Sequence, residues 1–422
     1  MKNILVEQNP HWNGVLQNYA KRDQLETLIS YLPLRQIITI TGIRRCGKST
    51  LAKQTINHLI ANGTPAKNIL YVNLEQPLFL DVRHDPSYLH TIHETYLQLI
   101  DPQGQLYIIF DEIQFFENWQ IYIKSQYEKS SNKYIITGSN SSMLSNELIT
   151  LLSGRSLNIH LDTFSFTEYL DYKNITHQTE IDRINNKIAI KRAKDEYIQW
   201  GGFYEVFSVE NPVIKKELLT SYAKNILYQD IIPRYGIRNS EVIERLFFYL
   251  LSNITGILNY TTLANIFGMS TKSIREYIHY FEDVFLLQRI DKHHNKLKER
   301  IKSSKKIYAL DNGFLQIAPK HSDDLGKSLE NSVFIALYKE DKTLSYLKDR
   351  YEIDFYTQKI HYQVAYDISN EKTRKRELNA FTHFIKTHTA PCKLITSDHN
   401  EQFENIEIIS IDKFLMEHKH KN

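Results

Sequence analysis

The sequence predicts an α/β chain whose first third is a doubly wound parallel sheet, and three observations predict it. A β-branched run, Gln36 to Thr41, leads at once into Gly42-Ile43-Arg44-Arg45-Cys46-Gly47-Lys48-Ser49-Thr50 and then a helical stretch, Leu51 to Ala61. A second apolar run, Gln105 to Phe110, ends in Asp111-Glu112, and a third, Lys133 to Thr137, opens into Gly138-Ser139-Asn140. Apolar runs that end in polar residues and alternate with helices are the pattern of parallel strands whose carboxyl ends share one site. Leu70 to Leu74 supplies one further strand.

The loop from Gly42 to Thr50 fits the P-loop pattern G-x-x-x-x-G-K-[ST], with strand before and helix after, as that motif requires. Its glycines let successive backbone N–H groups curl around phosphates, and the start of the helix adds a positive dipole end. Lys48 is placed to reach the β- and γ-phosphates and the Ser49 hydroxyl to ligand Mg²⁺. Asp111, ending a strand beside the loop, is placed to hold the same metal as a Walker-B aspartate does, and Glu112 is the candidate general base that polarises water. Ser139 would face the γ-phosphate; the alternative is an ordinary Gly-Ser turn.

Size and charge bound the rest. A chain of 422 residues is too long for one core and predicts two or three domains. Lys plus Arg is 52 against 49 Asp plus Glu, a net charge of +3 that excludes a strongly basic nucleic-acid coat but not a local patch. Two cysteines, Cys46 and Cys392, cannot build a disulfide framework or a four-thiolate zinc site. The first residues show no export signal, and no run approaches the roughly 18 apolar residues of a membrane span. The expectation is a soluble protein of a reducing cytoplasm, without membrane contact.

At this point the chain resembles a known family. GIRRCGKST, IIFDEIQ, ITGSNSSML and LLSGRSLNIHLDTFSFTEYL are similar to the prokaryotic AAA-type ATPases whose C-terminal half is a domain of unknown function. YIQWGGFYEVF, YAKNILYQDIIPRYGIRN, KIYALDNGFL, SLENSVF and YEIDFY follow in the expected order, so the resemblance covers almost the whole chain. It implies an AAA+/STAND-like ATPase using ATP and Mg²⁺, then a winged-helix segment and a restriction-endonuclease-like α/β domain. The domain expectation is 1–170, 171–306 and 307–422. Arg155, after Ser153-Gly154, matches the family's Gly-Arg pair and would be an arginine finger, in cis or from a neighbouring subunit; a salt bridge at a strand edge is the alternative. Arg44 and Arg45 would contact phosphate or a partner. Where the family shows Gly-Gly-Phe-Pro, this chain has Gly201-Gly202-Phe203-Tyr204, which removes any nucleotide contact that depends on the proline.

Ile181 to Lys194 and Glu217 to Ile232 read as helices, the second ending at Pro233, and Glu241 to Ser252 as a Leu- and Phe-rich helix. Thr261 to Phe267, Gly268-Met269-Ser270 and Thr271 to Phe285 then form helix, turn, helix. Lys272, Ser273, Arg275 and Tyr277 would lie toward the exposed start of the second helix, where DNA could be met. The basic segment 292–306 is the expected wing and a second candidate for phosphate contact; the alternative is a solvated face or a protein contact.

Ser328 to Tyr338 reads as a helix carrying Glu330, and Tyr351 to Tyr356 with Ile360 to Ile368 as a hairpin turning at Gln358-Lys359. In nucleases of the implied fold, acidic residues hold a divalent metal and a lysine activates water. Glu330 and Asp354 fit the acidic parts, but Gln363-Val364-Ala365 stands where Glu-x-Lys belongs, so a degenerate, non-cutting domain is expected. Gln363 with Tyr366 is the remaining substitute. His90 and His93, His293-His294, and His418 with His420 lack metal spacing and read as surface histidines. Three functions stay open: an ATPase switch with DNA as a candidate target, an ATP-regulated nuclease, and a nucleotide-gated adaptor for a protein partner or a second copy.

Overall fold

In a computed structural model of the chain, which describes residues 1–139, 152, 154–319, 324–385 and 390–418, the run before the glycine loop is β1 (Ile37–Thr41). It is buried along its whole length, as a central strand covered on both faces must be. β2 (Ile69–Asn73), β3 (Tyr107–Asp111), β4 (Lys133–Gly138) and β5 (Ser156–His160) join it in the order β2-β3-β4-β1-β5, every neighbouring pair parallel. Parallel pairing puts all the carboxyl ends on one side, so Gly42, Asp111 and Ser139 emerge there together. The accompanying helices are α1 (Lys2–Gln8), α2 (Gln24–Tyr31), α3 (Lys48–Ala61), α4 (Tyr88–Ile100) and α5 (Trp119–Lys129). Val72, Ile108, Phe110 and Ile136 pack with Leu89, Ile92, Tyr96 and Trp119 in the core. His93 shares the α4 face of Leu89, Ile92 and Tyr96, so it is buried rather than on the surface, and Tyr122 lies 3.3 Å from its Nδ1. Expectations for Asn140, Ser153 and His420 lie outside the described residues.

The chain divides into two compact units, Met1–Asp162 and Thr163–Lys421, so the segments expected as 171–306 and 307–422 both fall in the second. This unit starts with α6 (Phe166–Tyr172), opened by a capping box in which Ser165 and Glu168 satisfy each other's backbone N–H. α7 (Lys187–Trp200) and α8 (Pro212–Asn225) follow. The α8 stretch does not end at Pro233. A π-helical turn over Ile226–Ile231 carries it into Ile232–Tyr235, with Pro233 in that piece's first turn, where a missing N–H is tolerated. Next come α9 (Ser240–Ser252), α10 (Tyr260–Phe267) and α11 (Thr271–Asp283), capped by the side chains of Asn239, Asn259 and Ser270. Gly268 makes the turn between α10 and α11 at φ +64°.

A mixed sheet completes the unit. β6 (Leu287–Lys292) and β7 (Lys305–Ala309) form an antiparallel hairpin with the short helix Leu297–Lys302 between them. α12 (Leu325–Glu340), β8 (Ser345–Lys348), β9 (Glu352–Tyr356), β10 (His361–Val364), α13 (Glu371–Ile385), β11 (Cys392–Thr396), β12 (Glu401–Phe403), β13 (Ile406–Ser410) and α14 (Ile411–Glu417) follow. The strand order is β12-β13-β11-β10-β9-β8-β6-β7, so β6 and β7, which flank the segment expected as a wing, share one sheet with the strands expected in the last segment. The turn at Gln358-Lys359 joins β9 to β10, which pair antiparallel.

Gly201-Gly202 has a structural task in this unit. Asp311, fully buried, accepts hydrogen bonds from Thr163 Oγ1 (2.7 Å), Gly202 N (2.9 Å) and Gly313 N (2.8 Å). A Cβ at Gly201, whose φ is +73°, would stand 1.9 Å from Asp311 Oδ1. Tyr204 opens the short helix Tyr204–Phe207, a position where proline is favoured because the N–H there has no helical partner, which accounts for the family's proline. Gly201→Ala should therefore cost the second unit roughly 2 kcal/mol or more, combining overpacking with backbone strain. Gly236→Ala, at φ +60° with nothing within 4 Å, should cost only the strain, about 1 kcal/mol. Urea unfolding midpoints of the two variants check the ordering.

Candidate nucleotide site

The loop between β1 and α3 is shaped by close backbone approach. A Cβ at Gly42 would lie 2.0 Å from the Leu161 carbonyl oxygen, so only glycine fits, and Gly47 turns at φ +105° into the first residue of α3. Arg45 sits at φ +68°, a left-handed conformation uncommon outside glycine. Lys48 is buried; its Nζ donates to the carbonyls of Gly42 (3.1 Å) and Ile43 (3.2 Å) and lies 3.5 Å from Glu112 Oε1. Ser49 and Thr50 follow in the first turn of α3, half-buried.

Two carboxylates face the loop from β3. Asp111 is fully buried, and both its oxygens accept from hydroxyls: Oδ1 from Thr137 (2.6 Å) and Oδ2 from Tyr71 (2.6 Å). Burial and the adjacent Glu112 raise the Asp111 carboxyl, while Thr137, Tyr71 and Ser49 oppose them with hydrogen bonds. Glu112 stands at φ 54°, again left-handed, and its N–H donates to Thr137 Oγ1 (2.9 Å). Burial pushes this carboxyl up, but Lys48, a hydrogen bond from Gln114 and the charge of Arg44 outweigh it and hold Glu112 below the ordinary carboxylate range. Ser139, buried at the end of β4, accepts from Gln114 Nε2 at 3.1 Å. Lys48, Ser49, Asp111, Glu112 and Ser139 thus converge on one loop.

Other expected residues are placed differently. Arg155 precedes β5 at the amino end of the sheet, where its carbonyl accepts from Ile37 N and its guanidinium lies 3.4 Å from Glu128. The loop leaves β1 at the opposite end, about 13 Å or more along the strand, which does not support a finger in cis. Arg44 is ion-paired with Glu75. The Cys46 thiol is buried and raised by desolvation, the environment of an inert thiol rather than a redox sensor. Arg22, which the sequence gave no reason to single out, is almost fully buried and donates to the carbonyls of Cys46 and Asp162, both at 2.7 Å. It braces the loop from behind through contacts far apart in sequence.

In the second unit Lys306, expected on the basic surface, lies inside the protein. It is buried, with Nζ 3.2 Å from Glu330, 2.5 Å from Glu352 and 3.3 Å from Asp354, and Tyr308 donates to Glu330 at 2.8 Å. Strand alternation puts Lys306 and Tyr308 on one face of β7, a signal that was available in the sequence once the strand was assumed. Gln363 accepts from Asp354 N (3.2 Å) and donates to Glu377 (2.8 Å), and Tyr366 is exposed, so the two form no joint substitute for the missing lysine. Lys305 pairs with Asp291 at 2.5 Å. Arg275 stacks on the Tyr260 ring at 3.8 Å, and Lys272 lies exposed, 3.9 Å from Glu276. Among the described residues, no group of three or more His, Cys, Asp or Glu is arranged to hold a metal ion, and no helix is long and apolar enough to cross a membrane.

The family model described as an AAA domain matches residues 34–170, and one described as a domain of unknown function (DUF8612) matches residues 191–324. The chain is 30% identical over 411 residues to an uncharacterized protein of Haemophilus influenzae, covering 94% of this chain and 98% of that one. It is also 30% identical over 423 residues to an uncharacterized protein of Methanocaldococcus jannaschii, covering 96% and 92%. Among solved structures it is similar to the Orc1 protein of Aeropyrum pernix in complex with DNA, with 10% identity and a TM-score of 0.32 over 67% of this chain and 87% of that one. The chain belongs to the AAA-type P-loop ATPases that carry a C-terminal domain of unknown function.

The carboxylate cluster gives a pH signature. Burial, with Glu330 and Glu352 alongside, pushes Asp354 up to about 8 against the pull of Lys306. An unfolded aspartate titrates near ~3.9, so the folded state holds this proton more tightly, and the stability it contributes is full below about pH 4 and lost as pH rises toward 8. Asp354→Asn should flatten that loss. Urea titrations at about pH 5 and pH 8 check it, and an unchanged pH dependence would contradict the assignment.

Proposed function

We propose that this chain binds ATP with Mg²⁺ at residues 42–50 and hydrolyses it, using the cycle as a molecular switch. The observation that carries the reading is the placement of Glu112 within 3.5 Å of Lys48, beside buried Asp111, at the carboxyl ends of parallel strands. The groups fit their expected ligands. The Gly42 cradle leaves no room for a side chain, and the Ser49 hydroxyl with the Asp111 carboxylate is an all-oxygen pair of the kind Mg²⁺ prefers. Mg²⁺ would supply charge neutralisation on the phosphate oxygens.

The chain's own residues supply the rest. Backbone N–H groups from Gly42 to Thr50, which include Ile43, Arg44, Arg45 and Cys46, wrap the phosphates, and Lys48 offers its ammonium to the β- and γ-oxygens. Glu112, kept ionised by Lys48 and Gln114, accepts the proton of the attacking water, and Ser139 donates toward the γ-phosphate. Arg155 is retained in this reading only as a side chain for a neighbouring copy's site. A nuclease is the weaker alternative, because the Lys306 ammonium already lies between Glu330 and Asp354, where a divalent ion would have to sit. A nucleic-acid effector is favoured over a protein partner by Lys296, Lys298 and Lys302, exposed around the short helix between β6 and β7.

Two experiments test these readings. In phosphate-release assays, Lys48→Ala should abolish turnover, and Glu112→Gln should lower kcat by about 10²- to 10⁴-fold while ATP still binds. Wild-type turnover in Glu112→Gln would remove the base assignment. For the effector, replacing Lys296, Lys298 and Lys302 by Ala should weaken duplex DNA binding and reduce the salt slope by up to about 0.9 per lost phosphate contact. Binding absent at moderate salt would transfer the effector role to a protein.

A further inference from the structure

Gln114 was not singled out by its sequence, yet it holds two of the site's groups at once. Glu112 takes a left-handed backbone conformation, and the chain then closes a single 3₁₀ turn over Ile113–Phe115. That turn sends the Gln114 side chain back toward the end of β4. Its Nε2 donates to Glu112 Oε2 at 2.5 Å and to Ser139 Oγ at 3.1 Å. An amide nitrogen carries two protons in a fixed plane, so both are committed, one to each partner. Ser139 serves as acceptor in this contact and keeps its own O–H proton for donation.

The two oxygens of Glu112 are thereby oriented from different sides. Oε1 faces the Lys48 ammonium at 3.5 Å, and Oε2 is fixed by the amide. Left-handed backbone at a residue with a side chain is costly and persists where the surroundings over-determine it. Here the N–H of Glu112 is held by Thr137, the same side chain that donates to Asp111, so the metal-binding and base carboxylates share one support.

We propose that Gln114 is a positioning residue that ties the Glu112 carboxylate to the Ser139 hydroxyl, making water activation and γ-phosphate contact the work of one rigid unit. The proposal rests on the ATPase reading of this site. Gln114 touches neither the water nor the phosphate in this account; it acts through Glu112 and Ser139. Removing its amide leaves the loop, Lys48 and Ser49 untouched, so nucleotide affinity should hold while the chemical step slows.

The test is a double-mutant cycle in the full-length chain, read by phosphate release with Mg-ATP. Gln114→Leu should lower kcat roughly 10- to 100-fold with KM for ATP within about two-fold of wild type. Adding Gln114→Leu to Glu112→Gln should produce almost no further loss, because residues acting as one unit are not additive. A kcat in Gln114→Leu within about two-fold of wild type, or a loss that multiplies fully onto Glu112→Gln, would overturn the proposal. Gln114→Ala provides a second variant should Leu perturb folding, since the side chain is only half-buried. Wild-type turnover that Lys48→Ala abolishes upholds the ATPase reading whichever way Gln114 behaves; equal rates in those two proteins would bring down that reading and this one with it.

Discussion

Asp111 lies fully buried at the end of β3, with one oxygen taken by the Thr137 hydroxyl and the other by that of Tyr71. A carboxylate withdrawn from water is tolerable only when its hydrogen bonds and charge are met locally. The geometry of the first unit follows from meeting them. Thr137 must lie near the end of β4 beside β3, Tyr71 must lie on β2, and the backbone of Glu112 must twist into a left-handed turn for its N–H to reach Thr137. Lys48 then faces Glu112, which brings the loop after β1 to the same place. The parallel order β2-β3-β4-β1-β5 is the frame that lets these strands contribute at one edge.

The second unit obeys the same constraint with different parts. Lys306 sits among Glu330, Glu352 and Asp354, and Asp311 is satisfied by Thr163 and two backbone N–H groups. Buried pairs of this kind are weak sources of net stability, but breaking one partner is expensive because it strands an uncompensated charge. That asymmetry explains why Lys306 is held in place: removing its ammonium would leave Glu330 and Glu352 without a counter-charge. It also explains the strict glycines at Gly201 and Gly202, which let the backbone approach Asp311 and Phe164.

Much of the first unit was legible because its signals are local. Apolar runs ending in Gly42, Asp111 and Gly138 each report a strand end, and the loop motif carries its own context test. What was hidden depends on long-range or strained geometry. Arg22 reaches carbonyls 24 and 140 residues away, which no spacing reveals. Gln114 depends on the left-handed turn at Glu112, and nothing in DEIQ marks that turn. His93 could have been placed in the core, since Leu89, Ile92 and Tyr96 define a buried helical face that includes it. Lys306 was hidden by its company: a run of seven Lys and Arg between 292 and 306 reads as solvated surface, and only strand alternation separates Lys305 from Lys306. The extension of α8 past Pro233 was unreadable for another reason, because a π-helical turn repositions the break that proline normally makes.

In the proposed reading, the loop from Gly42 to Thr50 is a phosphate site whose affinity runs through Lys48 and whose metal would be held by Ser49 and Asp111. Calorimetric titration of ATP into the full-length chain, with and without Mg²⁺, tests it most directly. The account predicts saturable binding at one site per chain, tightened by Mg²⁺ in the wild type, insensitive to Mg²⁺ in Asp111→Asn and absent in Lys48→Ala. Binding that survives Lys48→Ala unchanged, or no binding by the wild-type chain, would contradict it.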